Sequence, residues 1–187
     1  MKRTVFLATA ISLFAVSPAL AHPGHTVAGD FTAGLMHPFL GLDHILAMLA
    51  VGLLAAQSSG KFRLILPTLF VAIMAVGGIV GLSALNVPYM EQGIVASVIL
   101  LGAIVAFGGK LPLMVTGSMV AVFALFHGTA HGVEMPTDTT ALAYGIGMLA
   151  ASSVLHAAGI AAGHFGPYLL RYAGAAVALA GLGLAVA

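Results

Sequence analysis

The chain has 187 residues, 61% of them apolar and only 6% charged, where a soluble domain carries roughly 25% charged residues. That balance excludes a water-soluble globular protein, and a formal net charge of +1 leaves no basic field for nucleic acid. Cysteine is absent, so disulfides and thiolate metal sites are excluded, and any metal must be held by His, Asp, Glu, Met or backbone.

Residues 1–21 begin with Lys2 and Arg3, continue with an apolar run from Val5 to Val16 and end in Ala19-Leu20-Ala21. This is the pattern of a cleavable secretory signal peptide. Cleavage after Ala21 leaves a mature chain opening with His22-Pro23-Gly24-His25 on the far side of a bacterial inner membrane. A free amine beside an imidazole can chelate metal, so His22 and His25 are candidate scavengers, with Asp30 near enough to help. A tail without function is the alternative.

Apolar stretches of about 20 residues, separated by Gly, Pro or charge, predict spans at roughly 34–56, 64–85, 92–108, 111–130, 141–163 and 167–187. The predicted fold is therefore all-α: one polytopic domain over 22–187, with six transmembrane helices after the signal peptide. The short turn at Gly108-Gly109-Lys110 predicts a tight antiparallel hairpin between the third and fourth spans. Lys61, Arg63, Lys110 and Arg171 all fall at one end of this layout. By the positive-inside rule that end is cytoplasmic, which makes both mature termini periplasmic. Two three-helix halves of opposite orientation are a candidate inverted repeat of the kind secondary transporters use.

The chemistry is concentrated at two places. The first span opens with His37-Pro38-Phe39-Leu40-Gly41-Leu42-Asp43-His44, with Met48 one turn beyond His44. If the helix starts at Pro38, His37 and His44 lie on one face about 10 Å apart, too far to share an ion unless the first turn is distorted. Asp43 is a direct ligand or an imidazole-orienting group, and ionisable residues inside a span are costly enough to make function the default reading. The fourth span ends in Phe126-His127-Gly128-Thr129-Ala130-His131-Gly132-Val133-Glu134. His127 and His131, four apart, can present two imidazoles to one ion, with Glu134 as a third ligand. Such a nitrogen and oxygen set suits nickel, cobalt, zinc or copper and not magnesium or calcium.

Helix one leaves the periplasm and helix four returns to it, so both motifs should occupy the same membrane level. Glu91, at the periplasmic mouth of the third span, is placed to attract a dication, and His156 and His164 are candidates for an exit path. The main alternative is an intramembrane zinc hydrolase in which His44, His127 and His131 hold the metal and a carboxylate serves as base. No Walker motif is present, so this polypeptide itself uses no nucleotide.

These two motifs, with the leader ahead of them, resemble the HupE/UreJ family of hydrogenase and urease accessory proteins, over the whole chain. The resemblance implies a six-helix inner-membrane permease, not an enzyme, that admits nickel, or in some members cobalt, without an ATPase or prosthetic group. By position, the family's functional residues fall on His37, Asp43, His44, Phe70, Glu91, His131 and Glu134. Packing is the bland alternative for Phe70. The expected partners are the metal ion, the lipid bilayer and a second copy of the chain.

Overall fold

The computed structural model describes residues 27–187, apart from 59, 61, 84–86 and 109–110. The predicted signal peptide, His22, His25, Lys61 and Lys110 lie outside the described residues. Everything regular within them is helical: α1 (Val27–Met36), α2 (Leu42–Ala56), α3 (Phe62–Leu82), α4 (Met90–Phe107), α5 (Leu113–Val133), α6 (Ala141–Ala162) and α7 (Pro167–Leu184). Helices α3 to α7 are each long and apolar enough to cross a membrane. Their outer faces expose Ile79, Leu142, Val154 and Leu179, side chains suited to lipid and not to water.

The first predicted span is not one continuous helix. α1 and the 3₁₀ turn His37–Phe39 meet α2 at a bend of 80°, so the two pieces together make at most one broken span. The break sits at Gly41, whose backbone is extended (φ −104°, ψ 119°), after a proline that ends regular hydrogen bonding. α1 packs along α6, where Gly34 and Gly147 let the backbones touch. Asp30 is buried there, its Oδ2 accepting the Thr140 N–H at 2.9 Å at the start of α6. It ties α1 to α6.

Among the spanning helices the most extensive pairs are α3 with α5, α4 with α7, and α2 with α6. Each crossing is made at facing glycines: Gly77 on Gly128 and Gly81 on Gly132, Gly102 on Gly174, and Gly52 on Gly159. In lipid, where burying apolar surface drives little association, such close backbone contact supplies the dispersion energy that holds helices together. The expected tight hairpin of the third and fourth spans is correspondingly loose. α4 and α5 are joined by a short connection and touch, but each packs more extensively on another helix, since the glycines that admit backbone contact, Gly102 on α4 and Gly128 on α5, face α7 and α3.

Candidate metal centre

The α1–α2 break and the C-terminus of α5 lie at the same end of the bundle, and both histidine motifs meet there. His131, in the last turn of α5 and 1% exposed, is the hub. Its ring centroid is 4.5 Å from that of His44 and 5.0 Å from that of His37. The bend at Gly41 is what makes this arrangement possible. A continuous helix would have set the two rings about two turns apart, whereas the broken one folds both onto a single imidazole. The distortion that the seven-residue spacing required is present.

Three donors can converge on one ion at the mouth. The ligand atoms of His37, His131 and Glu134 lie within 4.8 Å of one another, and His37 Nε2 is 2.9 Å from Glu134 Oε2. That hydrogen bond holds the Glu134 carboxyl below the usual carboxylate range, so it is negative at neutral pH and available to a cation. One layer deeper stand His44 and His127, with ring centroids 4.9 Å apart. The expected set of His127, His131 and Glu134 is thus divided: His131 joins the mouth group, His127 the inner pair, and His44 touches both His131 and His127.

The inner pair is set up as lone-pair donors. Asp43 Oδ1 accepts from the His44 backbone N–H and ring Nδ1, both at 2.8 Å. A carboxylate only accepts, so Nδ1 carries the hydrogen and Nε2 keeps its lone pair. Nε2 is buried with no partner among the described residues. At His127, Ser97 Oγ donates to the Ile94 carbonyl at 2.6 Å, which spends its single hydrogen. Its 2.9 Å contact with His127 Nε2 must therefore be an N–H donated to Ser97, leaving the lone pair on Nδ1. That atom too is buried and unpartnered among the described residues. Buried imidazole nitrogens without partners are costly, and a cation that accepts their lone pairs removes the cost. Asp43 and Ser97 orient the rings that would hold it.

The remaining expected residues are distributed as follows. Phe70 is fully buried, its centroid 5.7 Å from His127 and 5.1 Å from His156. Met48 is buried in the hydrophobic core. Glu91 is exposed in the first turn of α4 and is not among the three converging ligands. His164 is exposed at the opposite end of the bundle. Sequence reasoning missed Ser97, a small polar residue in an apolar helix that reads as packing. It also missed Tyr144, whose ring lies 5.6 Å from that of His37.

Gly41 is part of the same machinery. A Cβ there would stand 2.7 Å from Asp43 Oδ1 and 2.9 Å from His44 Nδ1, against the pair that fixes the tautomer. Gly41→Ala is expected to lower metal affinity by about tenfold, the low end of the effect of losing a ligand-orienting partner, although no metal-binding atom is removed. Equilibrium nickel binding to the purified variant checks this, and wild-type affinity would show that the close fit over Asp43 and His44 does not matter.

The family model described as HupE / UreJ protein matches residues 9–184. Protein HupE of Rhizobium leguminosarum bv. viciae is 44% identical over 191 residues, with all of both chains covered. No solved structure matches the chain. With the apolar helices, these matches make the chain an integral membrane protein that belongs to the HupE/UreJ family.

Proposed function

We propose that this protein is a permease that carries nickel, with cobalt next in preference, from the periplasm to the cytoplasm for the maturation of a metalloenzyme such as hydrogenase. The observation that carries the reading is the pair of lone-pair nitrogens, His44 Nε2 and His127 Nδ1, held buried and unpartnered behind the His37, His131 and Glu134 mouth. Imidazole and carboxylate donors without thiolate favour borderline divalent ions. Glu134 and Asp43 stand at the end of the bundle opposite Arg63 and Arg171, a polarity that supports a periplasmic mouth.

The helix pairing supports a transporter built from two inverted halves. Exchanging α2, α3 and α4 for α5, α6 and α7 turns the α3–α5 pair into the α6–α2 pair and leaves α4–α7 in place, which is the set of most extensive contacts. A membrane potential of 100 mV supplies about 4.6 kcal/mol for a dication, enough to drive inward movement without nucleotide. Phe70, beneath His127, forms the inner wall of the site.

Two measurements test selectivity and ligand chemistry. In vesicles bearing the protein, nickel uptake should be inhibited by cobalt, zinc and copper in excess and not by magnesium, and inhibition by magnesium as strong as by cobalt would contradict an imidazole site. Uptake at limiting nickel should also fall as external pH is lowered, because protons compete with the metal for imidazole lone pairs. The His37–Glu134 contact is present at neutral pH and is lost only as pH falls through the lowered value of Glu134. A rise in the nickel concentration needed for half-maximal uptake as pH is lowered is the signature of ligating imidazoles, and a nickel affinity independent of pH would contradict it.

A further inference from the structure

His156 lies beyond the metal centre, about 22 Å along α6 from its start, and is 1% exposed. Neither of its ring nitrogens has a protein partner among the described residues. Among the described residues its ring contact is with Phe70, edge-on at 5.1 Å, and Phe70 in turn contacts His127. An imidazole that only locked two helices together would bond to one of them. In an apolar bilayer interior, where water is scarce, both nitrogens are left to an occupant.

The neighbours are donors of matching chemistry. Ser152 is one turn before His156 on α6 and on the same face. Its Oγ donates to the Met148 carbonyl at 2.8 Å and lies 3.9 Å from the Met74 sulfur. Met74 is one turn beyond Phe70 on α3, and both are fully buried. On the other side of Phe70, one turn away, Leu66 lines a cavity of about 920 Å³. That cavity lies at the end of the bundle opposite the metal centre, between Gln57, Thr116, Gly163 and Arg171. His156 is about 10 Å along α6 from Gly163, so it stands between the Phe70 wall and this vestibule.

We propose that His156, with the Ser152 hydroxyl and the Met74 thioether beside it, forms a second, inner binding station for the transported ion, reached past Phe70 and emptied into the cavity. Two stations separated by a wall allow an ion to be released from the first without meeting an unliganded apolar interior. A nitrogen, oxygen and thioether set retains a transition metal and discriminates against magnesium and calcium. The proposal rests on the transport reading above.

The test uses the full-length protein in detergent for binding and in lipid vesicles for flux, with nickel as the probe. Wild type should bind one more nickel ion per chain at saturation than His156→Asn and transport nickel. His156→Asn should lose that ion, keep the affinity of the mouth site and transport at least tenfold more slowly. His156→Cys, which restores a metal ligand in a chain that has no other cysteine, should recover both the second ion and the flux, which a packing role would not predict. The inner station is wrong if His156→Asn transports at the wild-type rate or binds as many nickel ions as wild type. Should His156→Asn not fold, Met74→Leu combined with Ser152→Ala takes its place, with at least a fivefold loss of affinity at the second ion expected and unchanged binding overturning the proposal. Absence of transport by wild type would instead defeat the permease reading, and a nickel ion lost in His156→Asn would still stand as a separate result.

Discussion

Asp43→Asn is expected to lower nickel uptake by about 10- to 100-fold, the range seen when a group orienting a metal ligand is altered, while the protein still inserts and folds. The expectation follows from what Asn preserves. Its amide oxygen can still accept the His44 Nδ1–H that Asp43 Oδ1 takes at 2.8 Å, so the tautomer and volume are kept. The negative charge is not. A dication at His44 Nε2 and His127 Nδ1 is stabilised by a carboxylate on the far side of the imidazole, which raises the basicity of the ring. Loss of that charge weakens binding without unpacking α2. Uptake by vesicles, with the amount of inserted protein measured alongside, decides the matter, and a wild-type rate for Asp43→Asn would mean that charge at this position has no part in handling the ion.

His131→Phe is expected to have a still larger effect, a loss of at least about a hundredfold in affinity for the first ion, because it removes a ligand and not an orienting partner. Phenylalanine keeps a ring of similar size between His37 and His44, whose centroids stand 5.0 and 4.5 Å from that of His131. It also removes two buried nitrogens that have no partner among the described residues. The variant should therefore be as stable as wild type or more so while failing to transport. Thermal unfolding in detergent, compared with nickel binding, separates the two properties. A destabilised variant that still binds nickel would show that His131 serves packing and not the ion.

The spanning helices α3 to α7 were legible in the sequence because lipid demands apolar residues on every exposed face, and their ends carry Gly, Pro or charge. The two histidine motifs were legible for the opposite reason, since ionisable groups in such helices are rare and costly. What the sequence concealed depends on tertiary contact. α1, only ten residues long with two Gly and two Ala, is too short to span alone. It is held by Asp30 reaching Thr140, 110 residues away. The break at Gly41 and the resulting approach of His37 to His131 follow from a bend that no local preference specifies. Ser97 becomes recognisable only once His127, 30 residues distant, is placed against it. The division of His127 and His131 between two layers also escapes helical spacing, which sets both on one face but does not say which partners lie opposite.

The most direct measurement is nickel accumulation by sealed vesicles that contain this purified chain alone, with no nucleotide present and an inside-negative potential imposed. The account predicts that wild-type vesicles accumulate nickel above its external concentration, that accumulation collapses with the potential, and that His131→Phe vesicles behave like empty ones. Wild-type vesicles that take up no more nickel than empty vesicles, or His131→Phe vesicles that match wild type, would contradict it.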